Sequence, residues 1–167
     1  METGLMLVGL ISDTHDRLPA IRDFVKLFAD RGTSLVMHAG DYCSPFALDP
    51  FHDASMPLLG IFGRNDGDHE GIKANASVGM ATELYESPHS FDVSGHRILL
   101  VHDLGEVNKR SIDSHEFVVH GMTHRQESIR RGDTLIVNPG EACGWLTDRC
   151  TAAVLDLETG ELELVSL

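Results

Sequence analysis

The run Leu5 to Ile11 contains no polar residue and stops abruptly at Ser12-Asp13-Thr14-His15. A short segment that is apolar on both alternating faces suits a strand covered on both sides, as at the centre of a parallel sheet. Three further stretches share this layout. Leu35-Val36-Met37-His38-Ala39-Gly40 runs into Asp41, and Arg97-Ile98-Leu99-Leu100-Val101 runs into His102 and Asp103. Phe117-Val118-Val119-His120-Gly121 leads through Met122 and Thr123 to His124. Ligands of open α/β sheets collect beyond the carboxyl ends of the strands. Four strands that each end in a carboxylate or an imidazole are therefore expected to converge on one site.

Between these runs the chain alternates strand and helix. Pro19 suits the first turn of a helix, and Ile21, Phe24, Val25 and Phe28 recur at helical spacing until Arg31-Gly32. Leu35 to His38 and a short helix from about Pro45 repeat the unit, and Pro57 to Phe62 begins a third before Gly63-Arg64-Asn65-Asp66-Gly67. A parallel sheet with right-handed crossovers is the economical topology for such a series. After about residue 80 hairpin signals take over. They are Ser90 to Val93 with His96 to Val101 across Ser94-Gly95, then Gln126 to Arg130 with Leu135 to Val137 across Arg131-Gly132-Asp133. A last pair, Ala152 to Leu157 and Glu161 to Val165, follows across Glu158-Thr159-Gly160. These imply a second, more antiparallel sheet packed on the first. Residues 1–167 read as one domain, long enough to bury a real core.

The charge balance excludes some roles. With 26 acidic against 13 basic side chains the formal net charge is −13, a field that opposes nucleic-acid phosphates, so no nucleic-acid scaffold is expected. No apolar run is long enough to cross a bilayer, and Met1 to Gly4 carries no basic leader, so the expected location is cytoplasmic. Cys43, Cys143 and Cys150 are odd in number without a C-x-x-C spacing and read as buried or semi-buried thiols. Edge strands and the acidic surface allow a homodimer.

Asp13, His15, Asp41 and His124 together offer a mixed oxygen and nitrogen shell. Carboxylates favour hard divalent ions, and imidazole moves the preference toward manganese (Mn²⁺), Fe²⁺, Co²⁺, Ni²⁺ or Zn²⁺, with Mg²⁺ also compatible. His38, His52, His69, His89, His96 and His115 are assigned surface or core polar roles. Asp16 and Arg17 read as capping and surface residues. Trp145, with Cys143 and Leu146, reads as core packing in preference to a pocket wall.

The motifs Ser12-Asp13-Thr14-His15, Gly40-Asp41, Gly63-Arg64-Asn65-Asp66-Gly67, Val101-His102, Gly121-Met122-Thr123-His124 and Asn138-Pro139-Gly140-Glu141 span nearly the whole chain. In kind and order they resemble the calcineurin-like metallophosphoesterases, in particular their small YfcE-type phosphodiesterases. The resemblance implies a four-layer αββα sandwich of two mixed sheets, with a two-metal centre that hydrolyses phosphate esters. It places Asp13, His15 and His124 on the first ion and Asp41 on both. His102 falls to the second ion, so that one or two ions per chain are expected, with manganese as the first choice. It also implies that Asn138-Pro139-Gly140 forms a tight turn holding the His124 loop through backbone contacts.

Three positions depart from that pattern. Arg64 stands where the family has an Asn ligand, and Met122 where it has the first His of G-H-T-H; Asp103 follows His102 where Gly is usual. A guanidinium cannot ligate a cation, and a thioether is a poor partner for a hard one. The second site is therefore expected to be altered, with Arg64, held by Asp103, replacing its charge. Asn65 and His120 are the neighbours that restore ligands if the register slips.

The expected substrate is a small phosphoester, a diester ahead of a monoester, attacked in line by a metal-bound hydroxide. Arg64, Asn65 and His102 would serve the phosphate, and His102 is preferred to Asp66 as the group assisting departure of the alcohol. The alternative is a weak or inactive protein using the same fold as a protein-binding scaffold, as a eukaryotic trafficking-coat subunit resembling this family does.

Overall fold

The computed structural model describes residues 6–79 and 81–167; Leu5, expected in the first strand, and Met1 to Gly4 lie outside them. In chain order the elements are β1 (Leu7–Ile11), α1 (Leu18–Asp30) and β2 (Leu35–His38), then a 3₁₀ turn (Pro45–Leu48) running into α2 (Asp49–Asp53). Next come β3 (Leu58–Ile61), α3 (His69–Val78), β4 (Thr82–Tyr85), β5 (His89–Val93) and β6 (His96–Leu100). A second 3₁₀ turn (Leu104–Glu106) precedes α4 (Lys109–Asp113), β7 (Phe117–Val119), β8 (Gln126–Arg131), β9 (Thr134–Pro139), β10 (Thr151–Asp156) and β11 (Leu162–Ser166).

The strands form two mixed sheets, one ordered β11-β10-β1-β2-β3-β4 and the other β5-β6-β7-β9-β8. Strands β1 to β3 run parallel, as the strand and helix alternation predicts, and β4 extends the parallel series. In the second sheet β7 is parallel to both β6 and β9, while the β5/β6 and β8/β9 hairpins form as expected. That sheet is thus more mixed than its hairpin signals suggest.

The last strand pair corrects the sequence reading. β10 and β11 join the first sheet, with β10 antiparallel to β1 at Leu7 to Leu10. The physical reason is burial. Every residue of β10 is buried, Ala152 and Val154 facing the helices and Ala153 and Leu155 facing the other sheet, so β10 must lie inside a doubly covered sheet.

Alternation in the strands sorts side chains into three cores. Val8, Leu10, Met37 and Ile61 meet Ile98, Leu100, Val119 and Val137 between the sheets. Ile11 and Val36 pack outward on Ile21, Phe24 and Phe28 of α1 and on Phe51 and Ile72. On the far side Leu99, Val101, Val118 and Ile136 cover Ile112 of α4. The result is the four-layer αββα sandwich. Burying a side chain such as Phe24 or Phe28 contributes about 1.5–3 kcal/mol, and this sheet-on-sheet packing sets the strand ends facing one another.

Helix α1 has Pro19 in its first turn and ends at Gly32, whose φ of 75° lets the chain reverse. No side chain caps its start, which corrects the capping role expected of Asp16. The Asp16 carboxylate instead accepts hydrogen bonds from Ser44 N at 2.9 Å and Ser44 Oγ at 2.7 Å, tying the loop after β1 to the loop after β2. α3 and β4 are unmarked in the sequence, because α3 buries only Ile72 and Ala76 and β4 is a half-exposed edge.

Candidate metal centre

The loops after β1 and β2 are laced together by backbone bonds, Asp13 N to Gly40 O at 3.0 Å and His15 N to Asp41 O at 3.1 Å. Strand β7 of the other sheet reaches the same place through Gly121. A Cβ on Gly121 would stand 2.6 Å from Asp13 Oδ2, and one on Gly63 would stand 2.9 Å from His102 Cε1, so both glycines permit the close approach. The two sheets thus deliver their strand ends to a common point.

There, ligand atoms of Asp13, His15, Asp41 and His124 lie within 4.8 Å of one another. His15 Nε2 is 3.6 Å from Asp13 Oδ1 and 3.4 Å from Asp41 Oδ2, and His124 Nε2 is 3.3 Å from Asp13 Oδ1. His102 joins from the second sheet with Nε2 at 3.4 Å from Asp41 Oδ1. These separations are longer than good hydrogen bonds and match two donors sharing one ion at bond lengths of about 2.0–2.2 Å.

The tautomers sharpen the point. His102 Nδ1 donates to the Ala39 carbonyl at 2.8 Å, and His124 Nδ1 donates to Glu141 Oε2 at 2.6 Å, so each Nε2 turns a lone pair toward a carboxylate. Two negative groups face each other unless a cation lies between them. Asp13 Oδ1, His15 Nε2 and His102 Nε2 are buried without any hydrogen-bond partner. Asp13 Oδ2, by contrast, is satisfied by Ser12 Oγ at 2.8 Å and Met122 N at 3.2 Å. Buried polar atoms normally find partners, so this selective orphaning fits a divalent cation.

Backbone strain marks the same residues. Asp13, His15, Asp41 and His124 have φ of 52°, 38°, 64° and 60°, in the left-handed region that costs non-glycine residues about 1–3 kcal/mol each. The nearby carboxylates also raise the His15 pKa: the proximity of Asp13 outweighs the opposing effect of burial, with Asp41 adding to the rise.

The glycine-rich loop places its residues differently. Asn65 reaches Asp41, with its backbone N 2.9 Å from Oδ1 and its Nδ2 2.8 Å from Oδ2. Arg64 is 62% exposed and pairs with Asp103 Oδ2 at 2.8 Å. Asp66 is consumed by structure, since its carboxylate accepts from the backbone N of Asp41, Cys43 and Gly63. His120 is buried with Nδ1 unpartnered, and burial lowers its pKa. Among the described residues neither His102 nor His120 belongs to a group of three or more clustered metal donors.

Two supports act through side chains to which the sequence pattern assigned no role. Glu141 is fully buried; besides His124 it accepts from Leu146 N at 2.9 Å and Thr147 Oγ1 at 2.6 Å. Burial alone would raise its pKa, but the bonds from Thr147 and His124 hold it below the usual value. Asn138 Nδ2 donates to Gly121 O at 3.1 Å and Thr123 Oγ1 at 2.9 Å. The turn therefore holds the loop before His124 through the Asn138 side chain, where the resemblance implied backbone contacts. The signal was the polar pair flanking Pro139-Gly140, at the end of a strand that is otherwise buried. Cys143 is the third donor of a second cluster with His15 and His124, and burial pushes its thiol up to about 12.

Trp145 and Arg17 also differ from expectation. Trp145 is 60% exposed instead of packed in the core, its indole Nε1 donating to the His15 carbonyl at 3.3 Å. Arg17, expected on the surface, reaches across to this loop. The three cysteines are free thiols, as expected, with Cys143 buried and Cys43 and Cys150 half-buried.

A two-sheet α/β sandwich whose strand ends gather carboxylates and imidazoles around unsatisfied atoms defines a metal-dependent hydrolase class. The chain belongs to the calcineurin-like phosphoesterase superfamily, whose domain profile matches residues 6–160. It is 30% identical over 165 residues to a phosphodiesterase of Methanocaldococcus jannaschii, covering 97% of this chain and 99% of that protein. The solved structure of an archaeal phosphodiesterase superposes with a TM-score of 0.89 at 30% identity, over 97% of this chain and 100% of the other. The phosphoesterase Yfce of E. coli shares the fold, with a TM-score of 0.69 at 16% identity over 96% of this chain and 99% of that one. Among the described residues no helix is long and apolar enough to cross a membrane.

Proposed function

We propose that this protein is a cytoplasmic phosphodiesterase that acts on small phosphoesters with one tightly held divalent ion, manganese before Ni²⁺, Fe²⁺, Zn²⁺ or Mg²⁺. Asp13, His15, Asp41 and His124 would hold the ion. The observation that carries this reading is the clustering of Asp13, His15, Asp41 and His124 donor atoms within 4.8 Å of one another, with Asp13 Oδ1 and His15 Nε2 buried and unpartnered. When bound, such an ion activates water near neutral pH and polarises the phosphoryl group.

The chain's own groups do the rest. Glu141 and the Ala39 carbonyl fix the imidazoles of His124 and His102 before substrate arrives, so no reorganisation is needed at the moment of reaction. Arg64, steadied by Asp103, stands in for the charge of a second ion and offers a planar fork to the phosphoryl oxygens. The Asn65 amide, already beside Asp41, hydrogen-bonds the phosphate. His102 Nε2, which carries a lone pair while Nδ1 donates to Ala39, would take up the proton that the attacking water loses and pass it to the leaving alcohol, a role closed to Asp66 by its backbone bonds. Three free thiols suit a reducing cytoplasm.

The test is turnover of bis-p-nitrophenyl phosphate against p-nitrophenyl phosphate with Mn²⁺ and with a chelator. The diester is expected to react faster and the chelator to abolish the rate. No turnover with any divalent ion would leave the fold without this chemistry.

A further inference from the structure

Trp145 is the only tryptophan of the 167 residues, and it sits exposed on the rim of the metal centre. The ring is not loosely solvated. Its Nε1 donates to the His15 carbonyl at 3.3 Å, and the Arg17 guanidinium lies over the ring at 4.7 Å from its centroid. Arg17 is itself anchored, with Nη1 donating to the Cys143 carbonyl at 2.5 Å. One interaction covers part of the indole and another fixes its plane, yet 60% of the residue stays open to solvent. An exposed, oriented aromatic ring is what stacking recognition requires.

Resting on the phosphodiesterase reading above, we propose that Trp145 is a stacking platform for the base of a nucleoside phosphodiester. His15 presents both ends of the argument. Its carbonyl holds the indole, while its Nε2 faces Asp13 and Asp41 in the metal cluster. One residue, His15, thus joins the platform to the donors that would meet the phosphate, so a base and its own 5′-phosphate are the two parts of a ligand that this arrangement addresses. Arg17 adds a positive charge beside the ring in a chain of net charge −13, which favours an anionic ligand there. Arg125 and Arg149 line a cleft with His124, and none of these three arginines is paired with a carboxylate among the described residues.

Because the chain has a single tryptophan, its fluorescence reads the platform directly in the intact protein. Adenosine 5′-monophosphate is expected to quench it saturably, and ribose 5-phosphate, which lacks a base, is expected to leave it unchanged. With Mn²⁺, the p-nitrophenyl ester of thymidine 5′-phosphate is compared with methyl p-nitrophenyl phosphate, which has the same leaving group and no base. The ratio of their kcat/KM values should fall about tenfold in Trp145→Ala and recover in Trp145→Phe.

Equal quenching by both phosphates, or an unchanged ratio in Trp145→Ala, overturns the platform while leaving the phosphodiesterase intact. A change in fluorescence on concentrating the protein alone, without quenching by nucleotide, would mark an interface between copies and also overturns it. If neither ester is hydrolysed with any divalent ion, the phosphodiesterase reading fails and the fluorescence titration alone decides the platform.

Discussion

Glu141 Oε2 lies 2.6 Å from His124 Nδ1, on the side of the ring opposite the carboxylate of Asp13. The Glu141 carboxylate thereby fixes both the tautomer and the aim of the one imidazole that comes from the second sheet's β7 to meet residues of the first.

Replacing Glu141 with Gln should therefore weaken metal binding without removing a ligand. A change at such an outer partner costs roughly 10–100-fold in affinity. Isothermal titration with Mn²⁺ measures it, and the melting temperature of the metal-free variant separates this effect from damage to the Thr147 loop.

Metal removal should destabilise the protein. Asp13 and Asp41 are buried with like charge facing imidazole lone pairs, and a cation relieves that arrangement. At metal concentrations a hundredfold above Kd, linkage adds about 2.7 kcal/mol, or about 5–10 °C in Tm for a chain of this size. Thermal melts with Mn²⁺ and with a chelator check the difference.

Arg64 and Met122 should limit the chain to one tightly bound ion. Metal analysis after dialysis is expected to give one Mn²⁺ per chain in the native protein and two in the double variant Arg64→Asn, Met122→His, which restores the family's donors. Two ions in the native protein would show that Asn65 and His102 suffice for the second site. Arg64→Ala alone should lower kcat/KM about 10–100-fold, the scale of a charge-assisted contact of about 1.5–3 kcal/mol.

Away from the site, His96 Nδ1 pairs with Glu116 Oε2 at 2.9 Å, and the Glu116 contact raises the His96 pKa above its ordinary value of 6.5. The stabilisation from His96 is full below that ordinary value and is lost as pH rises through the raised one. Glu116 is shifted the other way, chiefly by its bond to His96, so its contribution is lost as pH falls through its lowered pKa. His96→Gln should thus cost more at pH 6 than at pH 9. The pair is on the surface, so the difference is about 0.2–1 kcal/mol, or about 1–3 °C in Tm.

Much of this protein is legible in its sequence because burial on both faces of a strand leaves a local mark. The runs ending at Ile11, His38, Leu100 and Val119 announce strands, and the residues just beyond them, Asp13, His15, Asp41, His102 and His124, announce chemistry. That Asp13, Asp41 and their imidazole partners share one point follows from every parallel strand delivering its carboxyl end to the same side of its sheet.

What the sequence leaves open depends on contacts between distant segments. The placement of β10 beside β1 is a choice between two sheets, made by the need to cover both faces of Thr151–Asp156. The support of His124 by Glu141, the reach of Asn65 to Asp41 and the exposure of Trp145 depend on loop paths. Those paths are set by hydrogen bonds to residues far away in the chain, and such pairings have no period or spacing to betray them. Local patterning thus determined the strands and the donors, and only tertiary packing decided which donor atoms meet at one buried point and which are spent on structural hydrogen bonds.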